Sequence, residues 1–76
     1  MGRAYILATT AVGEADSVLV SALEADGVAE GHIVSGDYDV VLEVDAPDVS
    51  EVLRSVVTGV RDIEGVVDTR TYIRLG

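Results

Sequence analysis

The chain has no cysteine, no tryptophan, no phenylalanine and no lysine, and its one proline is Pro47. Without cysteine there is no disulfide framework and no thiolate metal site. Three tyrosines are the only aromatic residues, so the 49% hydrophobic content rests mostly on Val, Ala, Leu and Ile. That composition suits small, tightly packed elements and disfavours an aromatic-lined pocket for a large apolar ligand. No apolar run approaches the roughly 20 residues of a membrane-spanning helix, and Met1-Gly2-Arg3 leads into a strand pattern rather than a signal-peptide pattern. These absences predict a soluble cytoplasmic protein with no cofactor and no membrane partner.

Positive charge is also scarce. Five basic residues, all arginine, stand against fourteen acidic ones, for a net charge of −9. Nucleic-acid affinity rests on neutralising phosphates with Lys and Arg, so direct DNA or RNA binding is not expected. Acidity of this degree without lysine resembles the proteins of salt-accumulating archaea, where a Debye length of about 3 Å at 1 M salt removes self-repulsion. The 76 residues are read as one domain, 1–76, with no linker or low-complexity run. A chain this short buries only about 60% of its unfolded surface, so part of its stability is expected from association.

The hydrophobic period changes at physical stop signals and reads strand, helix, strand, strand, helix, strand. Arg3 to Thr10 is apolar on both faces, as a central strand is. After Val12-Gly13, Val18, Leu19, Ala22 and Leu23 fall at helical spacing from Ala15, with Gly27 as the expected left-handed cap. Val28 to Ser35 carries Glu30, Gly31 and His32 and reads as an edge strand; Gly36-Asp37 turns the chain into Asp39 to Asp45. Pro47 and Asp48 open a second helix, with Asp48 and Glu51 spaced as a capping box. Its stripe is Val49, Val52, Leu53, Val56, Val57 and Val60, and Gly59 weakens its last turn by roughly 1 kcal/mol relative to Ala. Gly65-Val66 starts a last strand that runs to Leu75.

A weak internal echo, Gly27-Val28-Ala29-Glu30 against Gly65-Val66-Val67-Asp68, supports two tandem halves. The expected fold is an α+β, ferredoxin-like β-α-β-β-α-β sandwich with two helices on one face of a four-stranded antiparallel sheet. Tyr5 and Leu7 then point away from the helices, opposed to Ala4, Ile6 and Ala8, and Val41 is opposed to Val40 and Leu42. That open face predicts a homodimer packed sheet to sheet.

Val34-Ser35-Gly36-Asp37-Tyr38-Asp39, between an edge strand and an apolar strand, resembles the Gly-x-x-Asp turn of the Lrp/AsnC effector-binding, or RAM, domain. The Gly27-Val28 strand start, the strand Asp39-Val40-Val41-Leu42-Glu43-Val44, and Gly65 through Ile73 also fall where that family has similar residues, so the resemblance covers nearly the whole chain. The helix-turn-helix half that normally precedes this domain is not expected here, because residue 3 already begins the first strand. The resemblance implies a stand-alone effector module that dimerises through its sheets, assembles into rings of dimers and binds free amino acids between them, with full-length Lrp/AsnC regulators as possible co-assembly partners. It implies a ligand site of Val34, Ser35, Gly36, Asp37, Tyr38 and Asp39, joined by Thr69 and Thr71 from another subunit. Amides around Gly36 suit a carboxylate, Asp37 or Asp39 an α-ammonium, and the threonines supply hydroxyls. A plain hairpin turn, with Asp39 bonding local amides, is the other reading of the same loop.

Catalysis has little support. Ser17, Ser21, Ser35, Ser50 and Ser55 have no motif-level base, and no phosphate-binding glycine loop occurs. His32, without cysteine partners, reads as an edge-strand histidine rather than a metal ligand. Asp45, Asp48 and Glu51 could hold a cation, but a capped helix explains them. The arginines are read as partners of acidic neighbours, with Arg70 and Arg74 flanking Tyr72 on the face or rim of the sheet interface. Two alternatives share the element order. A small dimeric α+β-barrel enzyme would need polar groups between helices and sheet, where this chain offers Val and Ala; an ACT-like domain would place its telling glycine after the first strand.

Overall fold

The computed structural model describes residues 2–76, with the side chains of Val52 and Leu53 outside the described set. The order is β1 (Gly2–Thr10), α1 (Ala15–Leu23), β2 (Val28–Ile33), β3 (Val40–Ala46), a second helical segment, and β4 (Val66–Ile73). The second segment is α-helical over Val49–Glu51 (α2), π-helical over Val52–Val56 and α-helical again over Val57–Arg61 (α3). The strands form an antiparallel sheet in the order β2-β3-β1-β4, with β1 central and β2 at one edge. This is the ferredoxin-like sandwich that the element order implied.

The period-2 alternation of β1 and β3 decides the layering. Ala4, Ile6 and Ala8 pair with Val44, Leu42 and Val40, and all six are fully buried beneath the helices. From above, α1 adds Val18 and Ala22 and the second segment adds Val56 and Val60. Fully burying Ile6, Leu42, Val18, Val40, Val44 and Val60 contributes about 1.5–3 kcal/mol each. The alanines contribute little area, but they let the helices approach the sheet.

The internal echo is a structural repeat. Each helical segment returns to the sheet through the same turn: the Val28 N–H donates to the Ala25 carbonyl at 3.3 Å, and the Val66 N–H to the Ile63 carbonyl at 3.2 Å. Gly27 and Gly65 sit third in these turns at φ of +92° and +100°, as a type II turn requires. Each turn is also clamped to the other half. The Asp45 N–H donates to the Gly27 carbonyl and the Ala11 N–H to the Gly65 carbonyl, both at 2.8 Å.

Several expected boundaries shift. Gly27 is not the helix cap: α1 ends at Leu23 and the glycine belongs to the turn beyond it. β2 stops at Ile33 rather than Ser35, β3 runs from Val40 to Ala46, and β4 stops at Ile73, leaving Leu75 almost fully exposed. Gly59 does not end the second helix, which continues to Arg61. The π-helical turn instead breaks the stripe's register: Val56 and Val60 are buried while Val49 is 41% exposed. An inserted residue rotates the preceding turn by about one residue step relative to the next, so one regular stripe cannot face the sheet throughout.

Gly31 shows how closely α1 lies on β2. A Cβ there would stand 2.7 Å from Leu19 Cδ1, 2.9 Å from Leu42 Cδ2 and 3.3 Å from Leu23 Cδ2. Leu42 is fully buried and has nowhere to retreat. Gly31→Ala is therefore expected to lower unfolding stability by about 1–3 kcal/mol in urea denaturation. Gly59→Ala, with nothing within 4 Å of the added methyl, is expected to raise it by up to about 1 kcal/mol.

Candidate functional site

The loop between β2 and β3 has a pinned base and a free tip. At the base, the Val34 N–H donates to the Asp39 carbonyl at 2.8 Å and the Asp39 N–H to the Ala8 carbonyl at 2.9 Å. The Asp39 carboxylate accepts the Thr10 N–H at 2.8 Å, 29 residues away in sequence. The first closes the loop at its foot, and the other two fasten it to the end of β1. At the tip, the amides of Ser35, Gly36, Asp37 and Tyr38 donate to no protein group among the described residues. Gly36 has φ of +143°, which only glycine adopts without strain, and nothing lies within 4 Å of where its Cβ would be. Ser35, Gly36 and Asp37 are exposed, and Tyr38 and Asp39 are half-buried.

Thr69 and Thr71 lie elsewhere. They are on β4, paired with Ala8 and Ile6, half-buried on the helix side of the sheet. Val40, next to the loop, also pairs with Ala8, so Thr69 shares a cross-sheet row with the loop's foot two strand spacings, about 10 Å, away. Within one chain, β3 and β1 stand between the threonines and the loop tip. The structure therefore groups residues 34–39 and leaves the threonine hydroxyls apart from them.

The face opposite the helices carries Tyr5, Leu7 and Val41 at its centre, all half-buried, with Tyr72 beside them at 55% exposure. Charge interrupts this apolar patch more than the strand pattern suggested. Arg3 reaches Glu43 at 2.7 Å and Asp45 at 3.4 Å across the β1–β3 pair. Arg70 and Arg74 flank Tyr72 along the β4 edge.

Comparison with known proteins adds the decisive observation: residues 3–76 match the family model described as the Lrp/AsnC ligand binding domain. The chain belongs to the Lrp/AsnC ligand-binding domain family. It is 37% identical over 62 residues to the leucine-responsive regulatory protein of Haemophilus influenzae, covering 82% of this chain and 36% of that protein. It is 43% identical over 47 residues to an uncharacterised HTH-type transcriptional regulator of Pyrococcus furiosus, covering 62% of this chain and 31% of the relative. The matched segments thus span about a third of the length of these regulators. A crystal structure from Thermus thermophilus superposes with a TM-score of 0.91 at 30% identity, covering 100% of this chain and 95% of that one. A Neisseria meningitidis transcriptional regulator, solved as a complex with L-Met, shares the fold at a TM-score of 0.75 and 18% identity, over 99% of this chain and 50% of that one.

Three clefts among the described residues of this Lrp/AsnC domain lie away from the loop. One, about 370 Å³, lies beside Arg3 and Arg74; another, about 380 Å³, lies between the α1–β2 turn and the second helix and is lined by Asp26, Gly27, Asp45, Pro47, Glu51 and Ser55 among others. Pattern reading reached only part of it, through the acidic residues near helix two. Two of those carboxylates are engaged: Asp45 with Arg3, and Asp48 as acceptor of the Glu51 N–H at 2.8 Å. The latter is the forward half of the expected capping box. A smaller cleft is lined by Glu14, Ser17, Ser21 and Glu64, where the Ser17 hydroxyl donates to its own helix start at Glu14. His32 is exposed on β2 opposite Val41, and no cluster of metal-ligating side chains occurs among the described residues. No helix among them is long and apolar enough to cross a membrane.

Asp39 and Asp37 separate the structural part of the loop from its free part. Asp39→Ala is expected to cost about 1–3 kcal/mol of unfolding stability, because the Thr10 amide loses a charged acceptor. Asp37→Ala, at an exposed tip, is expected to stay within about 0.5 kcal/mol in the same denaturation series.

Proposed function

We propose that this domain is an oligomeric amino-acid-sensing module, neither an enzyme nor a DNA-binding protein. Its effector would sit at the loop 34–39. The observation that carries the reading is the loop's construction: a base held by three hydrogen bonds and a tip of four unengaged amides around Gly36. Such amides offer a carboxylate what it needs, at little cost in ordering the loop. Asp37 supplies a free carboxylate for an α-ammonium, whereas one oxygen of Asp39 is already committed to Thr10. Thr69 and Thr71 would complete the site from a neighbouring subunit. The L-Met complex of the Neisseria relative supports a free amino acid as the class of ligand.

The site then requires assembly. Thr69 and Thr71 lie on the helix side of the sheet, so a homodimer through the open face would not present them to the loop, and further association of dimers would have to bring a second subunit's β4 there. The proposed module is the domain of residues 1–76, acting in the cytoplasm and in concentrated salt, as its lysine-free acidic surface suits. It would act on transcription through full-length Lrp/AsnC regulators sharing its dimer surface. Direct phosphate binding is disfavoured by the net charge of −9.

A thermal-shift screen of the purified chain in concentrated KCl against the twenty amino acids, with light scattering on each hit, tests this. The expected result is a selective shift on the order of 10 °C at 100 times the dissociation constant, with a change in mass. Gly36→Val, which strains the tip and fills the ligand's approach, is expected to remove the shift while leaving dimers intact. A flat screen overturns effector sensing and leaves a purely structural partner role.

A further inference from the structure

The loop 34–39 and the strand ends around it carry fixed charge of one sign, and that sign bears on the effector's side chain. Asp37 is the free carboxylate at the tip. Asp39 gives one oxygen, Oδ2, to the Thr10 N–H at 2.8 Å, and its other oxygen, Oδ1, accepts no hydrogen bond among the described residues. Asp68, exposed, pairs with Thr9, next to Thr10 on the strand to which the loop is fastened. Neither Asp39 nor Asp68 is in an ion pair among the described residues. No arginine is placed to answer them. Arg3 lies at the far end of β1, seven residues or about 24 Å from Thr10, where Glu43 and Asp45 take it and Arg74 adjoins it. Arg70 stands on β4 opposite Leu7, two strand spacings, about 10 Å, across from β3. Arg54 and Arg61 belong to the second helical segment, whose last part packs against β4, and Arg61 is followed by Asp62 and Glu64. His32, two residues before Val34, is the basic residue nearest the loop along the chain.

An effector with its α-carboxylate on the tip amides and its α-ammonium on Asp37 still meets a negative potential. A side-chain carboxylate would stand near Asp39 and Asp68 with no donor to answer it, and like charges so placed repel. A neutral side chain that covered Asp39 would desolvate its second oxygen and leave it unpaired. A side-chain ammonium or guanidinium instead donates to that oxygen in a charge-assisted hydrogen bond. Its methylenes then have apolar surface to lie on in the exposed Val34 and the half-buried Tyr38, as the stems of long cationic side chains do. We infer that the effector of this loop is an amino acid with a cationic side chain, of the lysine, ornithine or arginine class, recognised through the free oxygen of Asp39. The inference rests on the proposed effector binding at this loop and names the class of ligand.

The test compares L-lysine with L-norleucine, which has the same carbon chain without the terminal ammonium, by isothermal titration calorimetry of the wild-type chain. L-Arginine and L-glutamate complete the series. Titration at about pH 8 keeps imidazole side chains neutral, and the lowest salt in which the chain stays folded keeps the charges unscreened. Lysine or arginine is expected to bind at least about tenfold more tightly than norleucine, with glutamate weakest and the preference shrinking as KCl is added. Asp39→Asn keeps an oxygen acceptor for the Thr10 amide and removes the charge, so it should fold, as circular dichroism would check; its preference for lysine over norleucine should disappear. The wild-type comparison stands without that variant. Norleucine or glutamate binding as tightly as lysine and arginine, or more tightly, overturns the inference and leaves effector sensing standing. So does binding confined to other members of the twenty. A lysine preference that Asp39→Asn leaves unchanged overturns recognition through Asp39, and with it the inference. A chain that binds none of the twenty amino acids overturns the effector reading and this inference together.

Discussion

Two helical segments can cover one face of a four-stranded sheet and no more, and the rest of the structure depends on that limit. β1, at the centre, has two different environments: Ala4, Ile6 and Ala8 lie beneath the helices, and Tyr5 and Leu7 lie on the uncovered side. The covered side is packed tightly enough that Gly31 has no room for a methyl group. The uncovered side holds the half-buried apolar residues and the Arg3 ion pairs. A small domain with a thin core is thereby left with an unfinished second interface.

The loop after β2 illustrates how stability and recognition are divided over a few residues. Asp39 looks like a ligand-binding carboxylate but spends one oxygen on a backbone amide, and in doing so ties the loop to the end of β1. What that leaves unengaged is the adjoining tip, with its free amides and Asp37. In the proposed sensor a rigid base would be useful, because the tip would not need to be ordered at the moment of binding. Helix-start carboxylates divide in the same way: Asp48 caps the helix and Asp45 answers Arg3.

Membership of the Lrp/AsnC ligand-binding domain family places this chain beside transcription regulators about twice its length. The physical traits of the chain fit a role through other proteins. Its net charge of −9 opposes contact with phosphates, and its uncovered sheet face and the separation of Thr69 and Thr71 from the loop are what the proposed assembly rests on. The arginines lie where they bear on that face: Arg3 crosses its centre, and Arg70 and Arg74 border it.

Much of the fold was legible in the sequence because hydrophobic period reports burial directly. Alternation in β1 and β3, the stripe Val18, Leu19, Ala22 of α1, and the echo of Gly27 and Gly65 determined the element order, the central strand and the duplicated halves. The position of Gly36 between two strands determined that a turn lies there. What the tertiary structure alone decided depends on contacts distant along the chain. The tie between Asp39 and Thr10, the approach of Leu19 and Leu42 that makes Gly31 necessary, and the π-helical turn that shifts the register of the second helix leave no mark in local periodicity. The sharing of Arg3 between Glu43 and Asp45 belongs with them, because it exists only once β1 and β3 lie in register. A periodic pattern says which residues are buried; only the packed chain says which polar groups are already satisfied and which are left for a ligand.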